Sequence, residues 1–259
     1  MKDFLGMPWL PINAAAHGDV LDNMLIYVHY LMIPLAIGWG AYFVYALYRF
    51  SAKRNPKANY HGVKTHISSY VEILVILCEV VLLVGFSIPL WDAVANTFPA
   101  PEDSIEMGII AEQFAWNFHY AGPDGKFGKR SPKLVDSQTN PLGLDFKNDA
   151  NAADDFVAKT MHIQKDKPVI AHVTSKDVIH ALGIPVMRVK QDAIPGINIP
   201  VTFTPIKTGK FMIACSQLCG SNHSQMRGLV YVHTKEEYEA WYAKEVAAAK
   251  AAGEEEDAW

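Results

Sequence analysis

The chain has 259 residues, a formal net charge of −4 and a hydrophobic fraction of 50%. That length suits one sizeable domain with an appendage, and the charge is too small to indicate a nucleic-acid-binding protein. Of the 3 cysteines, Cys78 lies in an apolar run, where it is expected to be a small buried side chain. The other two stand close together near the C-terminus.

Two apolar segments predict a membrane hairpin within residues 1–98. Residues 1–20 form a polar lead-in that lacks the basic region and apolar core of a cleavable signal peptide. Residues 24–48 and 71–94 are each long enough to span a bilayer as a helix. The loop between them carries basic residues and no acid, which predicts that it lies in the cytoplasm and that both flanking segments lie outside. The basic residues are Arg49, Lys53, Arg54, Lys57 and Lys64.

The second span carries Glu72 and Glu79, seven residues apart and therefore on one helical face. A carboxyl group in hydrocarbon is costly, so this face is expected to meet another subunit or water. Packing through neutral or hydrogen-bonded carboxyl groups is the alternative. Glu79 has no assignable role.

From residue 105 onward, short alternating runs broken by Gly, Pro and Asn predict strands in a sandwich or barrel over residues 99–234. Residues 140–155 are polar and predict an exposed excursion. Residues 235–252 predict a closing helix with acidic first turns, followed by a disordered acidic tail from Gly253. The predicted strands are residues 105–111, 114–120, 159–164, 169–174, 187–189, 199–204 and 228–232.

The most informative stretch contains Cys215, Cys219, His223 and Met226 within twelve residues. Two thiolates, an imidazole and a thioether suit copper used for electron transfer, and paired thiolates can bridge two coppers. His180 is the best candidate for a second imidazole. A Cys215–Cys219 disulfide is one alternative. Tetrahedral zinc is another, although it would leave Met226 without a role.

This loop and the segment around His180 resemble the dinuclear copper domain of subunit II of the haem–copper cytochrome c oxidases, over about residues 24–242. The resemblance implies two N-terminal transmembrane helices forming a hairpin, then an all-β Greek-key cupredoxin domain with a C-terminal helix in residues 235–259. It implies that two cysteine sulfurs bridge two copper ions and that each copper also binds one histidine. A thioether is then the weak ligand of one copper, and a backbone carbonyl is the weak ligand of the other. Those ligands are Cys215, Cys219, His180, His223, Met226 and the carbonyl of Gln217.

Several positions depart from the family pattern. Gln217 stands where the family has Glu, whose carboxylate binds magnesium at the contact with subunit I, so that magnesium site is expected to be weak or missing. Phe114 replaces the Trp that receives the electron, while the second Trp is kept as Trp116; a core role for these aromatics is the alternative. The substitution indicates a different docking surface, such as one for a membrane-bound or fused cytochrome. Ile197 replaces an Arg after Pro-Gly, which puts the usual contacts toward haem in doubt.

The resemblance implies the electron-entry subunit of a proton-pumping terminal oxidase in a bacterial inner membrane, with its N-terminus and copper domain on the periplasmic side. Electrons would come from a c-type cytochrome and pass to haem in subunit I, which reduces oxygen to water. Subunit III is a further expected partner, and haem is expected only in partner subunits. Glu72 resembles the family glutamate at the mouth of a proton path, although the usual following Trp is Ile73 here.

Two other functions remain open. The same module could serve a copper-containing nitric oxide reductase, since the catalytic subunit decides that. A membrane-anchored copper-delivery protein would hold one cuprous ion with an exposed cysteine pair, and it would need neither His180 nor Met226.

Overall fold

The computed structural model describes residues 10–57, 60–62 and 64–256. The chain divides into two compact units. Among the described residues, one unit lies within residues 20–96, and the other comprises residues 10–19 and 97–256. The predicted order of two apolar helices, a β domain and a closing helix is confirmed.

The first unit is built from long apolar helices. Helix α1 runs over Gly18–Arg49, and α2 (Ile67–Leu82) continues through a π-helical turn, Leu83–Ser87, into α3 (Ile88–Ala95). Their 32 and 29 residues, with mean hydropathies of 1.6 and 2.7, are long and apolar enough to cross a membrane. The π turn lies just before Pro89, which has no N–H to continue the helical ladder.

The second unit contains two five-stranded sheets with their shared core between them. The first has the order β3-β2-β1-β5-β8 and the second β4-β10-β9-β6-β7. The strands are β1 Ile105–Glu112, β2 Ala115–Tyr120, β3 Phe156–Ala158, β4 Met161–Gln164, β5 Val169–Ser175, β6 His180–Ile184, β7 Val189–Ala193, β8 Ile199–Phe203, β9 Gly209–Cys215 and β10 Arg227–His233.

Each sheet mixes parallel and antiparallel neighbours. Strand β1 runs parallel to β5 and antiparallel to β2, and β10 runs parallel to β4 and antiparallel to β9. Successive side chains of β4 point to opposite faces of the sheet. Met161 and Ile163 face the core and are fully buried, while His162 and Gln164 on the other face are half-buried.

The sequence prediction missed β3, β6 and β9 and misplaced the strand at residues 187–189. Pro185–Met187 instead forms a 3₁₀ turn, and Arg188 has a left-handed φ of 55°, so that strand β7 begins only at Val189. Proline at the start of the turn fixes φ and supplies no N–H to the ladder, which favours a turn over a strand.

The prediction that residues 140–155 are an exposed excursion was wrong for part of the segment. Leu142 and Leu144 are buried against Ile110 on the outer face of β1, in a second small core. Asp155 is also buried, and its carboxylate accepts hydrogen bonds from the backbone of Gly122 and Gly128. The excursion therefore covers one face of its sheet.

The closing helix α4 spans Lys235–Glu256, so the prediction of a disordered tail from Gly253 was wrong for residues 253–256, while residues 257–259 lie outside the described part. Its start is fixed by a capping box. The backbone N–H of Thr234 donates to the Glu237 carboxylate at 3.0 Å, and the N–H of Glu237 donates to the Thr234 hydroxyl at 3.3 Å.

The N-terminal lead-in is part of the β domain's core. Ala14 and Ala15 are fully buried, the N–H of Ala14 donates to Val186 O at 2.7 Å, and the N–H of Ile206 donates to Ala14 O at 2.8 Å. A segment that precedes the long apolar helix α1 therefore pairs with the chain between β8 and β9.

Candidate metal centre

Backbone pairing brings the predicted ligand segments together. Strands β6 and β9 are antiparallel with Leu182 opposite Cys215, so His180 at the start of β6 lies beside the end of β9. The N–H of Ser216 donates to Ala181 O at 2.9 Å, and the N–H of Cys215 donates to Met226 O at 3.1 Å. These bonds close residues 215–226, defined here as the cysteine loop, over the end of the second sheet.

The predicted ligand atoms lie near one another. The Sγ atoms of Cys215 and Cys219 are 3.8 Å apart, and Cys215 Sγ is 3.9 Å from His180 Nδ1. Cys219 Sγ is 3.6 Å from His223 Nδ1 and 3.9 Å from Met226 Sδ. Both cysteines are free thiols, so they form no disulfide in this structure.

The centre is protected from solvent on its inner side. Cys215 and Cys219 are 9% and 5% exposed, and His180 is fully buried. His223 is half-buried and faces outward more than the others. Burial, followed by the neighbouring Cys215, raises the pKa of the Cys219 thiol to about 11. A metal ion that binds the sulfur as thiolate must therefore displace a proton.

Asp177 determines which nitrogen of His180 faces the cysteines. Its Oδ1 lies 2.9 Å from His180 Nε2, which leaves Nδ1 directed toward Cys215. The same carboxylate accepts hydrogen bonds at 2.6 Å from the backbone N–H groups of Gln113 and Val178. Burial acts to raise the pKa of Asp177, but these bonds outweigh it and the pKa is lowered.

The two predicted electron-entry aromatics lie beside the ligand segments. Trp116 is 2% exposed and meets the His180 ring edge-on at 6.4 Å between centroids. Its Nε1 is buried and has no hydrogen-bond partner among the described residues. Phe114 is half-buried and lies so near Gly220 that a Cβ added there would come within 3.0 Å of Phe114 Cζ.

The structure gives the positions of three further residues that the sequence analysis discussed, namely Gln217, Glu72 and Ile197. The carbonyl oxygen of Gln217 lies 3.2 Å from Cys215 Sγ, while the residue itself is exposed. Glu72 belongs to α2 in the helical unit and is exposed there. Ile197 is 51% exposed at the turn between β7 and β8.

Sequence reasoning missed Asp177 and Gln113 as parts of this site. For Asp177 a signal existed, because an acid three residues before a candidate ligand can reach its outer nitrogen. For Gln113 there was none, since the side-chain bond from its Nε2 to Cys219 O, at 2.6 Å, joins residues 106 positions apart.

Comparisons with known proteins agree with this architecture. Residues 107–232 match the family model for the periplasmic domain of cytochrome c oxidase subunit II. The chain is 29% identical over 236 residues to an alternative cytochrome c oxidase subunit 2 from Bradyrhizobium diazoefficiens, covering 90% of this chain and 83% of that protein. It is 31% identical to the cytochrome c oxidase subunit 2 of Cereibacter sphaeroides, covering 76% of this chain and 67% of that protein.

Among solved structures, the chain is similar to the periplasmic domain of subunit II of cytochrome oxidase from Bradyrhizobium japonicum. The sequence identity is 25% and the TM-score is 0.41, with 57% of this chain and 96% of that chain covered.

Proposed function

Because this chain belongs to the cytochrome c oxidase subunit II family, we propose that it is the electron-entry subunit of a haem–copper terminal oxidase. It accepts electrons singly from a c-type cytochrome at a dinuclear copper centre and passes them to haem in subunit I, where oxygen is reduced to water. The observation that carries the proposal is the cluster of two buried thiols, a buried imidazole and a thioether, which lie within 4 Å of their neighbours.

The donor set fits copper. Cys215 and Cys219 would supply two thiolates, and His180 and His223 each direct Nδ1 toward one of the sulfurs, His180 toward Cys215 and His223 toward Cys219. Met226 approaches from the Cys219 side, and the carbonyl of Gln217 approaches from the Cys215 side. Soft thiolate and thioether ligands combined with imidazole favour copper over harder cations.

Two bridged coppers would share one unpaired electron, so that each metal–ligand bond changes little on reduction. The chain's own residues limit movement further. The cysteine loop is held at both ends by backbone bonds, and His180 is held by Asp177. A rigid and largely dry site is well suited to fast electron transfer, because little has to reorganise.

Magnesium at the subunit I contact is expected to be weak or lost. A hard divalent cation prefers an anionic oxygen, and Gln217 offers only an amide on its exposed side chain. Its backbone carbonyl, which faces Cys215, does not depend on the side chain. The substitution thus separates the two tasks of this position and leaves the proposed copper ligand intact.

The partners and location follow the family. The two apolar helices anchor the chain in a bacterial inner membrane beside subunit I and subunit III, with the N-terminus and the copper domain in the periplasm. Phe114 and Trp116 are proposed at the electron-entry side of the copper centre, and the donor is a c-type cytochrome that is membrane-bound or held in a supercomplex. Glu72 is proposed at the start of a proton path that supports proton translocation.

The test loads the full-length chain in detergent with copper and records its electron paramagnetic resonance spectrum. We expect the signal of one unpaired electron shared by two copper nuclei, and its loss in Cys215→Ser and Cys219→Ser. Cys78→Ser is the matched control, because Cys78 lies in the membrane helix α2 and should leave the signal unchanged.

A single colourless cuprous ion in the native chain would favour copper delivery instead. A dinuclear signal that survives in either serine variant would contradict thiolate bridging. Folding of each variant is checked independently by circular dichroism.

A further inference from the structure

The turn between β1 and β2 is tied to both ligand-bearing segments through one residue, Gln113. Its backbone N–H donates to Asp177 Oδ2 at 2.6 Å, and Asp177 in turn holds His180. Its side-chain Nε2 donates to the carbonyl of Cys219, also at 2.6 Å. One residue therefore contacts the His180 segment with its backbone and the cysteine loop with its side chain.

The cysteine loop is shaped to receive this contact. Gly220 has a φ of 139°, in the region that favours glycine. A Cβ at this position would come within 2.9 Å of Gln113 Nε2 and 3.0 Å of Phe114 Cζ. The turn and the loop can approach this closely only because residue 220 has no side chain.

Among the described residues, few backbone hydrogen bonds hold the middle of the loop. Within residues 215–226 the described backbone bonds close the two ends and the short 3₁₀ turn His223–Gln225. The carbonyl of Cys219 has one described donor, and that donor belongs to Gln113. Leu218 beside it is 78% exposed and adds no packing.

We propose that Gln113 is a positioning residue that holds the cysteine loop in its ligand-binding conformation before metal arrives, and that its close approach to Gly220 couples the turn between β1 and β2 to that loop. The claim that the loop is a copper loop rests on the proposed function, but the positioning itself does not. The described hydrogen bonds of Gln113 end on the Cys219 carbonyl and on Asp177, so it acts on the proposed ligands through these two groups.

The test measures amide hydrogen exchange in the reduced, metal-free, full-length chain in detergent. The informative amides are those of His223, Gln225 and Met226, whose loop hydrogen bonds must open for exchange. Gln113→Met keeps the length of the side chain but cannot donate. Because Gln113 is exposed and water can partly replace its bond, we expect exchange about threefold to tenfold faster.

Gln138→Met is the matched control, because Gln138 is exposed in the segment between β2 and β3, outside the cysteine loop. It should leave exchange in the cysteine loop unchanged. Unchanged exchange in a folded Gln113→Met variant would overturn the proposal, as would equal acceleration in the control.

Gly220→Ala approaches the same contact from the loop side and should also accelerate loop exchange. If the two residues form one junction, the double variant should exchange little faster than the more affected single variant. Fully additive effects would show that the contact does not couple them.

A second readout separates this proposal from the proposed function. Copper release from the loaded chain to a chelator should be about threefold to tenfold faster in Gln113→Met, with the same spectrum. If the chain binds copper differently from the proposal, only this readout is lost, and the metal-free exchange still decides the role of Gln113.

Discussion

His162 provides a pH-dependent test of how α4 is held on the β domain. Its ring stacks on Trp241 of α4, with 4.1 Å between centroids and 4° between planes. Its Nδ1 lies 2.8 Å from His233 Nε2, and its Nε2 lies 2.8 Å from the Thr160 hydroxyl. One imidazole must donate to the other, so the arrangement suits a neutral pair.

Burial, and after it the charge of His233, lowers the pKa of His162 from 6.5 to about 4. Below pH 6.5 the unfolded chain binds a proton that the folded chain does not bind until about pH 4. The neutral His162 ring therefore makes its full contribution to the free energy of unfolding above pH 6.5. That contribution is lost as the pH falls from 6.5 to about 4. At about 1.4 kcal/mol per pH unit this is at most about 3.4 kcal/mol, and solvent screening of the half-exposed ring reduces it to about 1–2 kcal/mol.

The perturbation is His162→Phe, which keeps a flat ring on Trp241 but cannot titrate. Thermal unfolding of the full-length chain in detergent is followed by near-ultraviolet circular dichroism at pH 7.5 and pH 4.5. Between pH 7.5 and pH 4.5, the midpoint temperature of wild type should fall by about 2–8 °C more than that of the variant. His66→Phe, at an exposed histidine, is the control and should retain the wild-type loss. Equal losses in wild type and His162→Phe would refute the reasoning.

Three further changes test other parts of the chain. Asp155→Ala should destabilise the β domain by about 3 kcal/mol in denaturant unfolding, because it leaves the buried His119 ring and two backbone N–H groups without their acceptor; Asp145→Ala, at a half-buried carboxylate that bonds the nearby Asn148, is a suitable comparison and should cost less. Asp177→Asn should lower copper affinity about 10- to 100-fold in chelator competition, since the outer nitrogen of His180 loses a carboxylate partner; unchanged affinity would remove Asp177 from the site. Glu72→Gln should slow proton uptake by the assembled oxidase with the copper spectrum unchanged, and wild-type turnover would exclude Glu72 from the proton path.

The sequence predicted what is local in this fold. Both long apolar helices follow from long apolar runs, and the cysteine loop follows from four candidate ligands of three residue types within twelve residues. The missed strands lack the alternation that marks a half-buried strand. Strand β6 is buried at every position, and β3 has only three residues. Strand β9 begins with exposed residues around Gly209 before it turns inward at Ile213 and Cys215.

Long-range contacts account for the remaining differences between the predictions from sequence and the observed structure. Ala14 and Ala15 look like part of a polar lead-in, yet they pair with chain almost 200 residues later. The excursion before β3 reads as polar because its buried leucines are few, and the carboxylate of Asp155 is buried only because its partners come from elsewhere in the chain. Sequence periodicity holds no information about such pairings, which depend on the completed sandwich.

The difference between local and long-range contacts also bears on position 114, where this chain has Phe and the family pattern has Trp. The site can stay assembled despite that difference, because its long-range contacts come from the neighbouring residue. The turn reaches the two ligand segments through the backbone N–H and the side chain of Gln113, and neither contact involves the side chain of residue 114. The ring of Phe114 instead lies against Gly220, which presents only backbone. Under the proposed function, a change of aromatic ring there would alter the surface offered to an electron donor without removing a described bond that positions His180 or Cys219. If the proposed function holds, the geometry of the ligands and the recognition of the donor could therefore vary separately, because different groups of the same turn serve them.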